Sequence, residues 1–190
     1  MKEWNGKRYH TLNHFLREKF GEKVFKISLD GGFTCPNRDG KAGRGGCVFC
    51  SARGSGDFAG DRDFSISKQF DDVKLMMEHK WKSGKYIAYF QAYTNTYAPV
   101  DELRKKYNEA IVKEGVVALA IATRPDCLDD DVLDLLEEIS KKLYVWVELG
   151  LQTSNDETAK IINRGYMLST FDDAMERLNK RNIDTVVHAI

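Results

Sequence analysis

The 190-residue chain lacks any apolar run near the ~20 residues that a membrane-spanning helix needs. Its first twenty residues, MKEWNGKRYHTLNHFLREKF, carry charge throughout and have no apolar middle, which excludes a secretory signal peptide. It lacks internal repeats and low-complexity tracts, so solenoids and linkers are excluded as readings. It also lacks net charge, with 29 Lys or Arg against 29 Asp or Glu. Four cysteines are too few and too clustered for a disulfide scaffold. These absences point to a cytoplasmic protein off the membrane, in which clustered thiols stay reduced and serve as metal ligands or catalysts.

What remains is an ordinary globular composition, 42% hydrophobic and 31% charged, at a length that builds one domain, residues 1–190. Charge is unevenly spread. Residues 1–53 hold eleven Lys or Arg against five Asp or Glu, and residues 126–140 hold seven acids and no base. A basic front suits a polyanion; on charge alone, a solvated surface is the simpler reading.

Apolar periodicity predicts a helix over 9–20, a strand over 24–29, a helix over 67–83 and a strand over 86–91. It then predicts a helix over 99–114, a strand over 116–122, a helix over 128–141 and a strand over 144–149. Short helices follow at 155–163 and 170–181, with a last apolar strand at 185–190. Strands alternating with helices, and apolar on both faces, indicate a parallel α/β sheet with every strand's C-terminal end on one rim. Because the chain stops inside an apolar strand, we read it as the front part of a longer, partial (β/α) TIM-like barrel. Trp81, Tyr86 and Trp146 read as core aromatics, and Cys127 as a buried small residue.

Between the first strand and the second helix lies a glycine-rich stretch, residues 35–60, without periodicity. A loop this long in a compact domain usually carries function. It holds Cys35, then Cys47-Val48-Phe49-Cys50. A cytosolic Cys-x-x-Cys holds zinc, an iron–sulfur cluster or a redox disulfide. Structural zinc needs a fourth ligand, and Cys127, His10, His14, His79 and His188 stand at no familiar spacing from the triplet. Three thiolates suit a [4Fe–4S] cubane with one open iron.

Cys47-Val48-Phe49-Cys50 resembles the end of the Cys-x3-Cys-x-aromatic-Cys motif of radical S-adenosylmethionine (radical SAM) enzymes, with Phe49 at the aromatic position. The longer first gap, eleven residues, is similar to that of the subgroup with the elongator catalytic subunit. Over most of its length the chain resembles the bacterial YhcC/YtqA family. The resemblance implies a [4Fe–4S] cluster on Cys35, Cys47 and Cys50, and S-adenosylmethionine bound through the open iron. It implies reductive cleavage of the S–C5′ bond and hydrogen abstraction by the resulting 5′-deoxyadenosyl radical. An electron donor such as flavodoxin or ferredoxin is implied as a partner, and tRNA as the substrate. Alternatives are a small metabolite or tetrapyrrole as substrate, or a non-catalytic zinc module that binds nucleic acid.

The resemblance also implies cofactor contacts at the strand ends. Gln91, Thr94 and Asn95 follow the second strand, where the family's usual glycine pair and acid are missing; a polar loop is the competing reading. Arg124 stands at the end of the third strand, with a salt bridge as its alternative. Glu148, Gln152 and Arg164 match the family's Glu-x-Gly-x-Gln and Arg-Gly elements, Arg164 as a bidentate carboxylate donor. His188, in the last strand, points toward the adenosine or is an ordinary core histidine. Tyr93 and Tyr97 lie near the rim, where an aromatic ring can stack on a base.

Overall fold

The computed structural model describes residue 4, residues 6–79 and residues 84–190. Trp81 and the end of the predicted second helix, 80–83, lie outside the described residues. Five parallel strands, β1 (Phe25–Leu29), β2 (Tyr86–Phe90), β3 (Val116–Thr123), β4 (Tyr144–Gln152) and β5 (Asp184–Ala189), form one sheet in the order β1-β2-β3-β4-β5. Each strand lies beside its predecessor, and the order never reverses. That is the winding of a (β/α) barrel rather than of a doubly wound sheet, and the five strands make a partial barrel.

The helices are α1 (Leu12–Phe20), α2 (Pro36–Asp39), α3 (Ile66–Glu78), α4 (Val100–Ile111), α5 (Asp130–Ser140), α6 (Asp156–Ile161) and α7 (Leu168–Lys180). Most are short amphipathic segments with identifiable starts. Thr11 caps α1 by accepting from the His14 amide, and Ser65 and Asn155 do the same for α3 and α6. The small helix α2 interrupts the loop predicted to be irregular. Pro36 stands at its first turn and Gly40 closes it in the left-handed region, both ordinary helix signals.

The two faces of the sheet are covered differently. On one, α3, α4, α5 and α7 bury Phe70, Leu103, Tyr107, Leu133, Leu136 and Phe171 against Ile27, Leu29, Phe90, Ile121, Val147 and Leu149. Burying one such side chain contributes roughly 1.5–3 kcal/mol, so this layer holds the sheet together. On the other face, α1 packs Leu16, Phe15 and Phe20 near the start of β4, around Tyr144 and Trp146. Above α1 this inner face stays open. Its residues run in register across the strands: Ser28, Tyr89, Ala120 and Trp146, then Ala122 beside Glu148. Gly150 lies beside His188 in the layer above. The alanines of β3 leave room that large neighbours surround, so the inner face opens toward the C-terminal rim.

Candidate metal and cofactor site

Loop 35–60 rests on the rim of the sheet because backbone and amide groups tie it there. The Asn37 amide donates to the Asn163 carbonyl at 2.6 Å, and the Asn163 amide returns a bond to the Gly46 carbonyl at 2.7 Å. The Val48 amide donates to the Ile162 carbonyl at 3.1 Å. Gly165 adopts φ 81°, and a Cβ there would lie 2.9 Å from the Asn37 side-chain oxygen, so the turn after α6 fits the loop only as glycine. At the other end of the loop, Gln91 donates to the Ser55 carbonyl and Tyr93 to the Ala52 carbonyl, both at 2.9 Å.

This docking brings Cys35, Cys47 and Cys50 to the mouth of a cleft of about 270 Å³ on the inner face. Glu148, Gly150, Gln152, Arg124, Tyr166 and His188 line the same cleft. Phe49, Gln91, Thr94 and Arg164 border it as well. Residues from every strand end except that of β1 therefore converge on the three cysteines. A larger hollow of about 650 Å³, beside Lys41, Tyr97 and Cys127, lies outside this convergence. It touches none of the three.

The spacing of the thiols bears on what they hold. Among the described residues, the three sulfurs do not all lie within 4.8 Å of one another. Three thiolates on one tetrahedral zinc would stand roughly 3.8 Å apart, given the Zn–S bond length. The three thiols are therefore not gathered at the spacing of a single zinc ion. All three cysteines are partly exposed, and Asn37 donates to the Cys47 sulfur at 3.5 Å. Burial pushes the Cys47 thiol up, while the Asn37 amide and the Arg124 charge oppose that rise. A bound metal would override it and hold the thiolate. The donor set therefore fits an iron–sulfur cluster.

Glu148 is held by three side chains. It is buried within the sheet, and one carboxylate oxygen accepts from Lys26 and, at 3.0 Å, from the Trp146 indole. The other oxygen lies 3.0 Å from His188 Nε2. Burial pushes its pKa up, but the bonds from His188 and Lys26 outweigh burial and bring it down to about 2. The Lys26 ammonium also sits 4.0 Å above the Tyr89 ring. Lys26 and Trp146 are site residues that sequence reasoning missed.

Other expected contacts are placed in more structural settings. Arg124 makes a two-pronged pair with Asp126, at 2.9 and 2.7 Å, and donates to the Arg164 carbonyl at 2.9 Å. Arg164 is fully buried, and its guanidinium donates to the carbonyls of Leu151, Thr153 and Tyr166 and to Asp156. Every guanidinium nitrogen is thus engaged within the protein, and the group frames the floor of the cleft. Tyr166, also unanticipated, has both guanidinium groups near its ring, at 4.8 and 4.5 Å, and donates to the Gly150 carbonyl at 2.6 Å.

Asn95 is fully buried and does not line the cleft; its amide clamps the Phe90 and Ala122 carbonyls at 3.0 and 2.8 Å. Thr94, also buried, borders the cleft. Gln152 takes φ 63° where β4 shifts register against β5, which turns the strand end over the cleft. Tyr93 lies near both Arg38 and Arg62, and Tyr97 lies near Lys41. Cys127 is buried, and burial raises its thiol pKa well above the usual range.

A family model described as "Radical SAM superfamily" matches residues 35–190. The chain is 56% identical over 184 residues to YtqA of Bacillus subtilis, covering 97% of this chain and 57% of that protein. It is 42% identical over 176 residues to YhcC of Escherichia coli, covering 92% and 56%. The chain thus spans little more than half the length of these relatives. A solved structure of archaeal Elp3 from Methanocaldococcus infernus, with its N-terminus deleted, superposes with a TM-score of 0.61 at 16% identity. That match covers 88% of this chain and 38% of the other, and shows a shared fold. Among the described residues, no helix is long and apolar enough to cross a membrane.

Proposed function

The chain belongs to the radical SAM superfamily, and we propose that it holds a [4Fe–4S] cluster on Cys35, Cys47 and Cys50 with S-adenosylmethionine in the adjoining cleft. The observation that carries this reading is the convergence of three thiols on one cleft at the C-terminal rim of a parallel sheet. When bound, such a cluster supplies the single electron that splits the S–C5′ bond and so starts hydrogen abstraction.

The chain's own residues have separable tasks. Asn37 donates a hydrogen bond to one cluster-side sulfur. Glu148, fixed by Lys26, Trp146 and His188, keeps a carboxylate on the inner wall at every ordinary pH. It is placed there to accept from hydroxyl or amino groups of the cofactor. Phe49 stands at the rim and Gly150 lets a ligand approach the β4 backbone. Arg124, Arg164 and Tyr166 are positioning residues that keep the floor of the cleft in one shape.

The test is anaerobic reconstitution with iron and sulfide, then reduction in the presence of S-adenosylmethionine and assay for 5′-deoxyadenosine. A brown protein with about four irons per chain that forms 5′-deoxyadenosine, both lost in Cys47→Ala, is the expected result. A colourless protein that retains zinc through the same cysteines would overturn the reading.

For the substrate we favour tRNA, modified by a cytoplasmic enzyme that takes its electron from flavodoxin or ferredoxin. Arg38, Lys41, Arg44 and Arg62 around the cysteine loop supply the positive charge that a polyanion needs. Residues 1–190 act in this reading as one domain. A tRNA substrate predicts binding that weakens steeply between 50 and 200 mM salt, by orders of magnitude for several phosphate contacts. Salt-insensitive binding would favour a small metabolite or tetrapyrrole.

A further inference from the structure

At the opposite end of the sheet from the cysteines, α1 carries a second group of metal-binding side chains. His14 and Glu18 are four residues apart on one face of the helix, and His10 lies one turn before His14, just ahead of the Thr11 cap. Side chains on a helix lean toward its N-terminus, so Glu18 reaches back over His14. Its two carboxylate oxygens divide between the histidines: one lies 3.3 Å from His14 Nε2 and the other 3.6 Å from His10 Nε2. One ligand atom from each of the three residues falls within 4.8 Å of the others.

We propose that His10, His14 and Glu18 form a binding site for a zinc-type divalent transition metal, separate from the cysteine cluster. Zinc bonds of about 2.0–2.2 Å to imidazole nitrogen and carboxylate oxygen place tetrahedral ligands roughly 3.4 Å apart, and each histidine stands near that distance from one Glu18 oxygen, a different oxygen for each. Two imidazoles select zinc, nickel or cobalt over magnesium or calcium, which prefer oxygen. Three protein ligands leave a fourth position for water. His10 and Glu18 are exposed and His14 is partly so, which leaves an approach for the ion from solvent.

The Trp4 ring stacks on His10 at 5.5 Å, and Phe15, one residue after His14, packs against Tyr144 at the start of β4. A bound ion therefore ties the segment before α1 to the helix that covers the underside of the sheet. Its place on α1, at the start of β4 rather than at the C-terminal rim, makes it independent of the cleft.

The test uses the cluster-loaded chain, dialysed to equilibrium against micromolar zinc chloride, with zinc and iron counted by mass spectrometry. One zinc per chain beyond the iron is expected. His14→Gln and Glu18→Gln should each weaken zinc binding by more than about 100-fold, above the 10–100-fold typical of losing an outer-shell partner, with iron unchanged. Glu18→Asp, which keeps the charge but shortens the reach, should also weaken binding. Zinc that persists in His14→Gln and Glu18→Gln, or an absence of stoichiometric zinc in the unaltered chain, would overturn the proposal. Because these side chains are at the surface, the variants are expected to fold, and circular dichroism on the same samples checks this.

Discussion

Glu148→Gln isolates the effect of a single buried charge. The substitution keeps the shape of the side chain and an oxygen for Trp146 and Lys26, and it removes the negative charge. The folded protein holds this carboxyl at about 2, against about 4.3 for an unstructured glutamate. A depression of that size corresponds to about 3 kcal/mol favouring the charged, folded form. Because the folded pKa is lowered, this stabilisation is complete above about pH 5 and is lost as pH falls through about 2. Removing the charge also leaves the Lys26 ammonium, partly shielded from water, without a counter-charge. We expect Glu148→Gln to destabilise the cluster-free, reduced chain by about 3 kcal/mol at pH 7. The assay is urea unfolding followed by circular dichroism from pH 7 to pH 3. The gap between the two proteins should narrow steadily below pH 5. Lys26→Met in the Glu148→Gln background should recover part of the loss, because the pair then disappears together. A cost under about 1 kcal/mol at pH 7, or a gap that stays constant with acidification, would refute the reasoning.

Other substitutions separate framework from cofactor contact. Arg164→Met should cost at least about 3 kcal/mol in urea unfolding, because the partly buried Leu151, Thr153 and Tyr166 carbonyls lose charged donors. Asn95→Ala frees two buried carbonyls and should cost about 1–3 kcal/mol. The fraction that remains folded should cleave S-adenosylmethionine at the normal rate, so the readout is activity per folded chain. Gly165→Ala strains a left-handed turn and meets Asn37, so it should cost about 1–2 kcal/mol and lower the iron retained after reconstitution.

Much of the fold was legible because each strand carries its own apolar signal and α1, α3 and α6 carry their own caps. The boundaries that moved did so for tertiary reasons. The predicted helix beginning at Leu128 starts at Asp130 instead, because residues 125–127 form a 3-10 turn opened by Pro125, with the Arg124–Asp126 pair across its start. The fourth strand continues past Leu149 to Gln152, where the register shift and the left-handed Gln152 carry it over the cleft. The cysteines and Glu148 stand out locally, the former by spacing and the latter as an acid in an apolar strand. Lys26 did not, because its partner lies 122 residues away on a strand that is not its neighbour, and only the folded sheet brings the two together. Trp146 was nearer to hand: it is two residues before Glu148 and so shares its face. Arg164 stood out through its motif, but its backbone partners are set by how the turn after α6 folds back on β4.

The contact of Tyr166 with both Arg124 and Arg164 has a further consequence for the thermodynamics of binding. The hydroxyl on Gly150 and the two neighbouring guanidinium groups fix the end of β4, the end of β3 and the turn after α6 to one another. The loss of freedom in these segments is therefore settled when the chain folds, before any ligand arrives. A small molecule entering the cleft meets a floor with little left to order, and its affinity depends mainly on contacts and displaced water. Calorimetry would then return a small entropic penalty for binding to the native chain and a larger one for Tyr166→Leu, where the same segments must be ordered by the ligand itself.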